Sequence, residues 1–198
     1  MTPTAIRHTV RLAAAACCAL ALLAQTPSAA WSAQKSYTRT TERYNAPEVT
    51  LIDQNGKRVP LKTIADSNRP VIVQFIFATC TTICPVLSAG FANLQGRLGS
   101  ASENVHLISI SIDPENDTPK IMRDYLKRYR AKPGWDFYTG SRRDIDAVMK
   151  AFDAYIPNKM SHYALTLIRT PGSDRWTRIY GIMSSSEFLD EVGKAGIK

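Results

Sequence analysis

Val71-Ile72-Val73-Gln74-Phe75-Ile76-Phe77 runs through Ala78-Thr79 into Cys80-Thr81-Thr82-Ile83-Cys84-Pro85, and this junction decides the fold. The first seven residues are almost continuously apolar, β-branched or aromatic. A strand covered on both faces reads this way, because neither face has to meet water. Beyond the junction, Val86, Leu87, Phe91, Leu94 and Leu98 recur at helical spacing up to Gly99. Pro85 stands at the helix-start position, where a missing N–H costs nothing. Both cysteines therefore fall where a central strand hands over to a helix.

Working downstream, residues 105–112 (VHLISISI) form a second buried strand. Residues 113–117 are a turn-rich loop, and Thr118-Pro119 opens a helix whose inner face is Ile121, Met122, Tyr125, Leu126 and Tyr129. A short strand over 135–138 follows. Ser141 with Asp144 starts another helix, with Ile145, Val148, Met149 and Phe152 inward. Residues 163–169 and 176–181 flank Pro171-Gly172-Ser173-Asp174 and read as a terminal β-hairpin. Ser184 with Glu187 caps a closing helix that ends near Lys194. Upstream, Asn55-Gly56 turns a hairpin between 49–53 and 58–61.

A right-handed βαβ crossover puts the strands at 71–77 and 105–112 parallel in one sheet. The expected class is α/β: a thioredoxin-like sandwich with a mixed central sheet, helices on both faces, a terminal β-hairpin and a closing helix.

The chain has 198 residues. Residues 1–30 read as a secretory signal peptide. Arg7 and Arg11 precede a 13-residue apolar run at 12–24, and Ser28-Ala29-Ala30 supplies a cleavage site before Trp31. That run is shorter than the roughly 20 residues of a membrane span. The expected location is the bacterial periplasm, as a free protein rather than one tethered to the inner membrane. Residues 31–48 are polar and aperiodic, read as a linker or surface arm, and 49–198 as one domain. The net charge of +8 includes Arg7 and Arg11. No basic run interleaved with aromatics points to nucleic acid as a partner.

Of four cysteines, Cys17 and Cys18 leave with the signal peptide. One close pair, Cys80 and Cys84, remains. A single pair in an oxidising compartment is not a disulfide scaffold, and points to redox or metal chemistry. A helix N-terminus favours the thiolate form. Three intervening residues, rather than the two of a conventional thioredoxin pair, still allow a disulfide and also allow both sulfurs to face one metal. Soft sulfur donors suit Cu(I) and Zn(II). A structural zinc site wants four protein ligands, which this pair and scattered histidines do not obviously supply.

His106 sits in phase with Ile108, Ile110 and Ile112 and reads as a strand residue satisfied by a hydrogen bond. His162 ends the loop at 153–161, just before a strand. On spacing alone it is open between loop residue and metal ligand. Asp113 reads as a turn former, Asp117 as a weaker neighbour of the site, Met160 as packing, and Arg142-Arg143 as solvated surface.

Three segments together resemble the Sco/SenC family of copper chaperones for respiratory cytochrome oxidase. They are Phe77-Ala78-Thr79-Cys80-Thr81-Thr82-Ile83-Cys84-Pro85, then Ser109-Ile110-Ser111-Ile112-Asp113-Pro114-Glu115-Asn116-Asp117-Thr118-Pro119, and Ser161-His162-Tyr163-Ala164-Leu165. The resemblance implies that Cys80, Cys84 and His162 bind one copper, as Cu(I) or Cu(II). It implies as partner the copper-acceptor subunit of a terminal oxidase, with another periplasmic copper carrier or a thiol reductant as further candidates. Two positions depart from the family pattern. Thr81 stands where many relatives carry Pro, and Ser161 where many carry an acid. The competing expectation is an enzyme, a thiol–disulfide reductase using Cys80 and Cys84 as its redox pair; that chemistry does not require His162.

Overall fold

A computed structural model describes residues 36–197. The expected signal peptide, Cys17, Cys18 and the first residues of the expected linker lie outside the described residues.

Among the described residues the core is a sheet of eight strands. In chain order they are β1 (Tyr37–Arg43), β2 (Thr50–Asp53), β3 (Arg58–Pro60), β4 (Val71–Ile76), β5 (His106–Ser111), β6 (Trp135–Thr139), β7 (Leu165–Arg169) and β8 (Arg175–Gly181). Their spatial order is β1-β8-β7-β4-β5-β6-β2-β3. β4–β5 and β5–β6 pair in parallel and the other neighbours are antiparallel, so the sheet is mixed as expected. Among the described residues five α-helices accompany the sheet: α1 (Leu61–Ala65), α2 (Ile83–Leu98), α3 (Pro119–Arg128), α4 (Arg142–Ala151) and α5 (Ser185–Lys194).

The two-residue period of β4 assigns the helices to faces. Val71 and Val73 line one small cavity with Leu61 and Ile64 of α1, and Phe75 meets Phe152 at the end of α4. The even positions, with Gln74 among them, turn to the opposite face, where Leu87 of α2 and Phe188 of α5 lie. There Phe91 of α2 stacks on Phe188 and meets Trp135 edge-on, while Tyr125 of α3 donates or accepts a 2.7 Å hydrogen bond with Ser88 of α2. Burial of these aromatic bodies is the main source of cohesion between layers.

The three polar caps read from the sequence are in place. Thr118 accepts from the Ile121 N–H, Ser141 from Asp144, and Ser184 with Glu187 forms a reciprocal capping box. Three expectations are refined. Within the stretch expected as linker or surface arm, residues Tyr37–Arg43 form an edge strand on β8. Its side chains are mostly in solvent, so it carries no hydrophobic period; the backbone ladder and one buried residue, Tyr37, hold it. Ile121 is 38% exposed rather than inward, because the buried stripe of α3 runs through Met122, Tyr125 and Leu126. Helix α2 begins at Ile83 rather than at Pro85, which places Cys84 inside its first turn.

Candidate metal centre

β4 ends at Ile76, and the chain turns at once. The Cys80 N–H donates to the Phe77 carbonyl at 3.2 Å, closing a tight turn that carries the first cysteine over the sheet end. The Ala78 N–H donates to the carboxyl of Asp117 at 3.2 and 3.3 Å. Asp117 is fully buried and also receives the Ser111 hydroxyl at 2.6 Å, tying the cysteine loop to the end of the parallel strand β5. Cys84 follows as the second residue of α2, beside the unpaired N–H groups of its first turn.

The third group comes from the other side of the sheet end. A single 3₁₀ turn, Lys159–Ser161, precedes His162. His162 Nε2 lies 3.2 Å from Cys84 Sγ. Its Nδ1 lies 2.7 Å from the Lys159 carbonyl oxygen. A carbonyl can only accept, so Nδ1 carries the proton and Nε2 presents its lone pair to the sulfur. The donor atoms of Cys80, Cys84 and His162 all lie within 4.8 Å of one another. Among the described residues this is the one such grouping of His, Cys, Asp and Glu.

Both cysteines are free thiols, and they differ. Cys84 is wholly buried; burial pushes its thiol far up, and the neighbouring Cys80 adds to the shift. Cys80 keeps 8% of its surface. Burial works against its thiolate too, but hydrogen bonds from Cys84 and Thr82, whose Oγ1 is 3.6 Å from Cys80 Sγ, outweigh it and leave the thiol below its ordinary range. Burial also lowers the His162 pKa, which keeps the imidazole neutral and its lone pair available.

Sequence reasoning missed what holds His162. Lys159 pairs with buried Asp113 and lies over the Phe77 ring at 5.3 Å, while Phe77 meets the His162 ring edge-on at 5.2 Å. Asp113, read as a turn former, thus anchors the turn that supplies the imidazole. The signal was thin: an acid after β5 and a lysine three residues before a histidine are common. Met160 is 68% exposed, which removes the packing reading. Arg142 is more than solvated surface, since it binds Glu115, Asp146 and the Ile112 carbonyl. His106 behaves as expected, hydrogen-bonded through Nε2 to Asp136 at 2.9 Å.

The model of the SCO1/SenC family matches residues 38–192. The SCO1 protein homolog of Bacillus subtilis is 35% identical over 116 residues, covering 57% of this chain and 59% of the homolog. Protein SenC of Rhodobacter capsulatus is 29% identical over 146 residues, covering 71% of this chain and 60% of SenC. The chain thus spans little more than half the length of these curated relatives. Among solved structures, BsSco, described as a member of the Sco family of cytochrome c oxidase assembly proteins, superposes with TM-score 0.64 at 27% identity, covering 80% of this chain and 96% of that one. Arabidopsis thaliana ScoI, solved with copper bound, superposes with TM-score 0.61 at 26% identity, covering 76% and 96%. With the family model spanning both the cysteine loop and the histidine turn, this chain belongs to the SCO1/SenC family.

Proposed function

We propose that this protein is exported to the periplasm, binds one copper ion through Cys80, Cys84 and His162, and delivers it to a copper centre of a terminal oxidase. The observation that carries the reading is the 3.2 Å approach of His162 Nε2 to Cys84 Sγ, with Nδ1 already committed to the Lys159 carbonyl. Thiol exchange can proceed without that imidazole lone pair, whereas the three-ligand metal site requires it.

The donor set fits the cargo. A three-coordinate ion with bonds of about 2.0 to 2.3 Å holds its donors roughly 3.7 to 4.0 Å apart, so donor atoms already within 4.8 Å of one another need only a small adjustment to close on it. Two sulfurs and one nitrogen suit copper, and three protein ligands leave a position for an incoming donor from an acceptor. The relatives' descriptions point the same way: one is a cytochrome c oxidase assembly protein and another was solved with copper. The protein's own residues hold the neutral imidazole, keep water from Cys84 and present Cys80 nearer the surface than Cys84. Transfer then proceeds by replacing these ligands one at a time with those of the acceptor.

The test is titration of the reduced protein with Cu(II). Strong thiolate-to-copper absorption is expected, lost in Cys80→Ala and Cys84→Ser and weakened in His162→Ala. Unaltered copper binding in His162→Ala would sink the three-ligand reading.

One observation favours a second reading, a thiol–disulfide reductase that keeps an acceptor's cysteines reduced. The two free thiols are unequally buried, as an attacking and a resolving thiol would be. Cys80 would attack the acceptor disulfide, and Cys84 would displace the second thiol, leaving Cys80–Cys84 oxidised and the acceptor reduced. Copper-free reduction that proceeds equally well in His162→Ala supports it; absence of any reduction removes it.

A further inference from the structure

Residues 120–132 (KIMRDYLKRYRAK) carry six cations, Lys120, Arg123, Lys127, Arg128, Arg130 and Lys132, against a single acid, Asp124. This net +5 is most of the +8 of the whole chain. The structure turns the charge outward. Met122, Tyr125 and Leu126 of α3 are buried, whereas five of the cations are exposed and Arg123 is half-buried. Among the described residues one of the six is ion-paired, Lys120 with Asp124 at 2.8 Å. Lys120, and more weakly Lys127 and Arg123, hold the exposed Asp124 carboxyl below its ordinary range. Helix electrostatics explain only part of this charge. Cations in a last turn offset the macrodipole, which accounts for Lys127 and Arg128 but not for Arg130 and Lys132 beyond the helix end. Arg130 also stands at φ 54°, in the left-handed turn that ends α3, where the Ala131 N–H donates to the Leu126 carbonyl at 3.0 Å. Glycine fits that position without strain, so arginine there keeps a cation at a cost to the backbone. The frame is fixed from α2: buried Gln95 donates to the Lys132 carbonyl at 3.0 Å and accepts the Lys132 N–H at 2.9 Å.

We propose that this basic face, α3 with the segment to Lys132, adsorbs to the surface of an anionic lipid bilayer. Among the described residues no helix is long and apolar enough to cross a membrane, so their contact with a bilayer is at its surface. A lipid surface asks for charge density rather than fixed geometry, and each Lys or Arg near it adds to the attraction. The centre of a protein–protein interface is instead poor in lysine and rich in aromatic side chains, and the one exposed large apolar residue of α3 is Ile121. The tyrosines of the run offer no stacking platform for bases: Tyr125 is 1% exposed, and Tyr129 packs on it and on Trp135. The densest charge, Lys127 to Lys132, lies just before β6, at the starting end of the parallel strands, whereas Cys80 follows the finishing end of β4. Adsorption therefore leaves Cys80 at the end of the sheet turned away from the bilayer, open to an acceptor. That use of the orientation rests on the copper reading; the adsorption does not.

The experiment floats the reduced, copper-free protein with vesicles of phosphatidylglycerol in phosphatidylcholine, and with phosphatidylcholine alone. The full chain and the chain from Trp31 are run in parallel, so that the apolar run at 12–24 is read apart. The chain from Trp31 should bind the anionic vesicles only, and more weakly as salt is raised from about 0.05 to 0.3 M. Each cation removed should weaken binding about fivefold, so Lys127→Gln/Arg128→Gln/Arg130→Gln/Lys132→Gln should lose about a hundredfold or more. Arg43→Gln/Arg175→Gln, on the opposite edge of the sheet, should matter less than any two of these. Arg130→Gly separates charge from structure: it should weaken binding about fivefold while the thermal midpoint stays level or rises. Cys80 should react with iodoacetamide as fast on the vesicles as in solution, and copper loading should be unchanged in the quadruple variant. Equal binding to neutral vesicles by the chain from Trp31, full binding by the quadruple variant, or protection of Cys80 on the vesicles would each overturn the proposal. So would binding of poly-glutamate without binding of the anionic vesicles, which would assign the face to an acidic polypeptide. Failure of copper loading with vesicle binding intact would strike the copper reading alone.

Discussion

Lys159 holds His162 from both ends of its own residue: its carbonyl accepts the Nδ1 proton at 2.7 Å, and its ammonium is anchored on buried Asp113. The 3₁₀ turn that supplies the imidazole is thereby fastened to the loop after β5. Groups that orient a metal-binding histidine commonly control affinity by 10- to 100-fold. Asp113→Asn and Lys159→Ala should each weaken copper binding by roughly tenfold while leaving all three proposed ligands in place. Competition with a chelator measures this; unchanged affinity in both variants would show that the turn holds its shape without the ion pair.

The two thiols should react unequally. Cys80 is the more exposed and has the lowered pKa, whereas burial raises Cys84. Iodoacetamide at neutral pH should therefore label Cys80 first, with Cys84 slower by about tenfold or more when tested singly in Cys84→Ser and Cys80→Ser. Mass spectrometry of the labelled peptides reads the ratio, and equal rates would contradict the burial difference.

Asp117 gives the protein a pH dependence. Burial raises its carboxyl to about 6, against the stabilising hydrogen bonds of Ser111 and the Ala78 N–H. An unfolded aspartate titrates near 3.9, so between about 4 and 6 the folded chain holds a proton that the unfolded chain has lost. Folding is favoured while that proton is present, and stability falls as pH rises through this window, by about 3 kcal/mol from this residue. Urea midpoints between pH 4 and 7 should show the decline, and Asp117→Asn should flatten it. A wild-type curve that matches the Asn variant would mean that Asp117 stays ionised.

Glu191 tethers the edge strand β1. It is 1% exposed, accepts the Tyr37 hydroxyl at 2.8 Å and pairs with Arg39 and Lys194. Glu191→Ala leaves the Tyr37 hydroxyl and Arg39 without this partner, and should cost about 2 kcal/mol, the scale of hydrogen bonds to a charged group. Amide hydrogen exchange should rise first in residues 37–43. Loss spread evenly over the sheet would argue against a local tether.

Much of this was legible in the chain because it depends on local chemistry. The parallel strands β4 and β5 announced themselves as fully buried runs, and Thr118, Ser141 and Ser184 marked helix starts through side-chain hydrogen bonds only a few residues long. β1 was illegible for the opposite reason. Its side chains face solvent, and what holds it is a ladder to β8 and a contact with Glu191 about 150 residues away in sequence. The start of α2 was misplaced by two residues because Pro85 can occupy any position of a first turn.

The same division runs through the site. The sequence by itself determined the cysteine pair, since strand, thiols and helix are consecutive and their chemistry follows from that order. Spacing left His162 open and only resemblance joined it to the pair; the tertiary structure is what brings its ring to the thiols. His162 lies 78 residues from Cys84, and its ring is brought to 3.2 Å by sheet pairing, by the Lys159 turn and by Asp113 from a third segment.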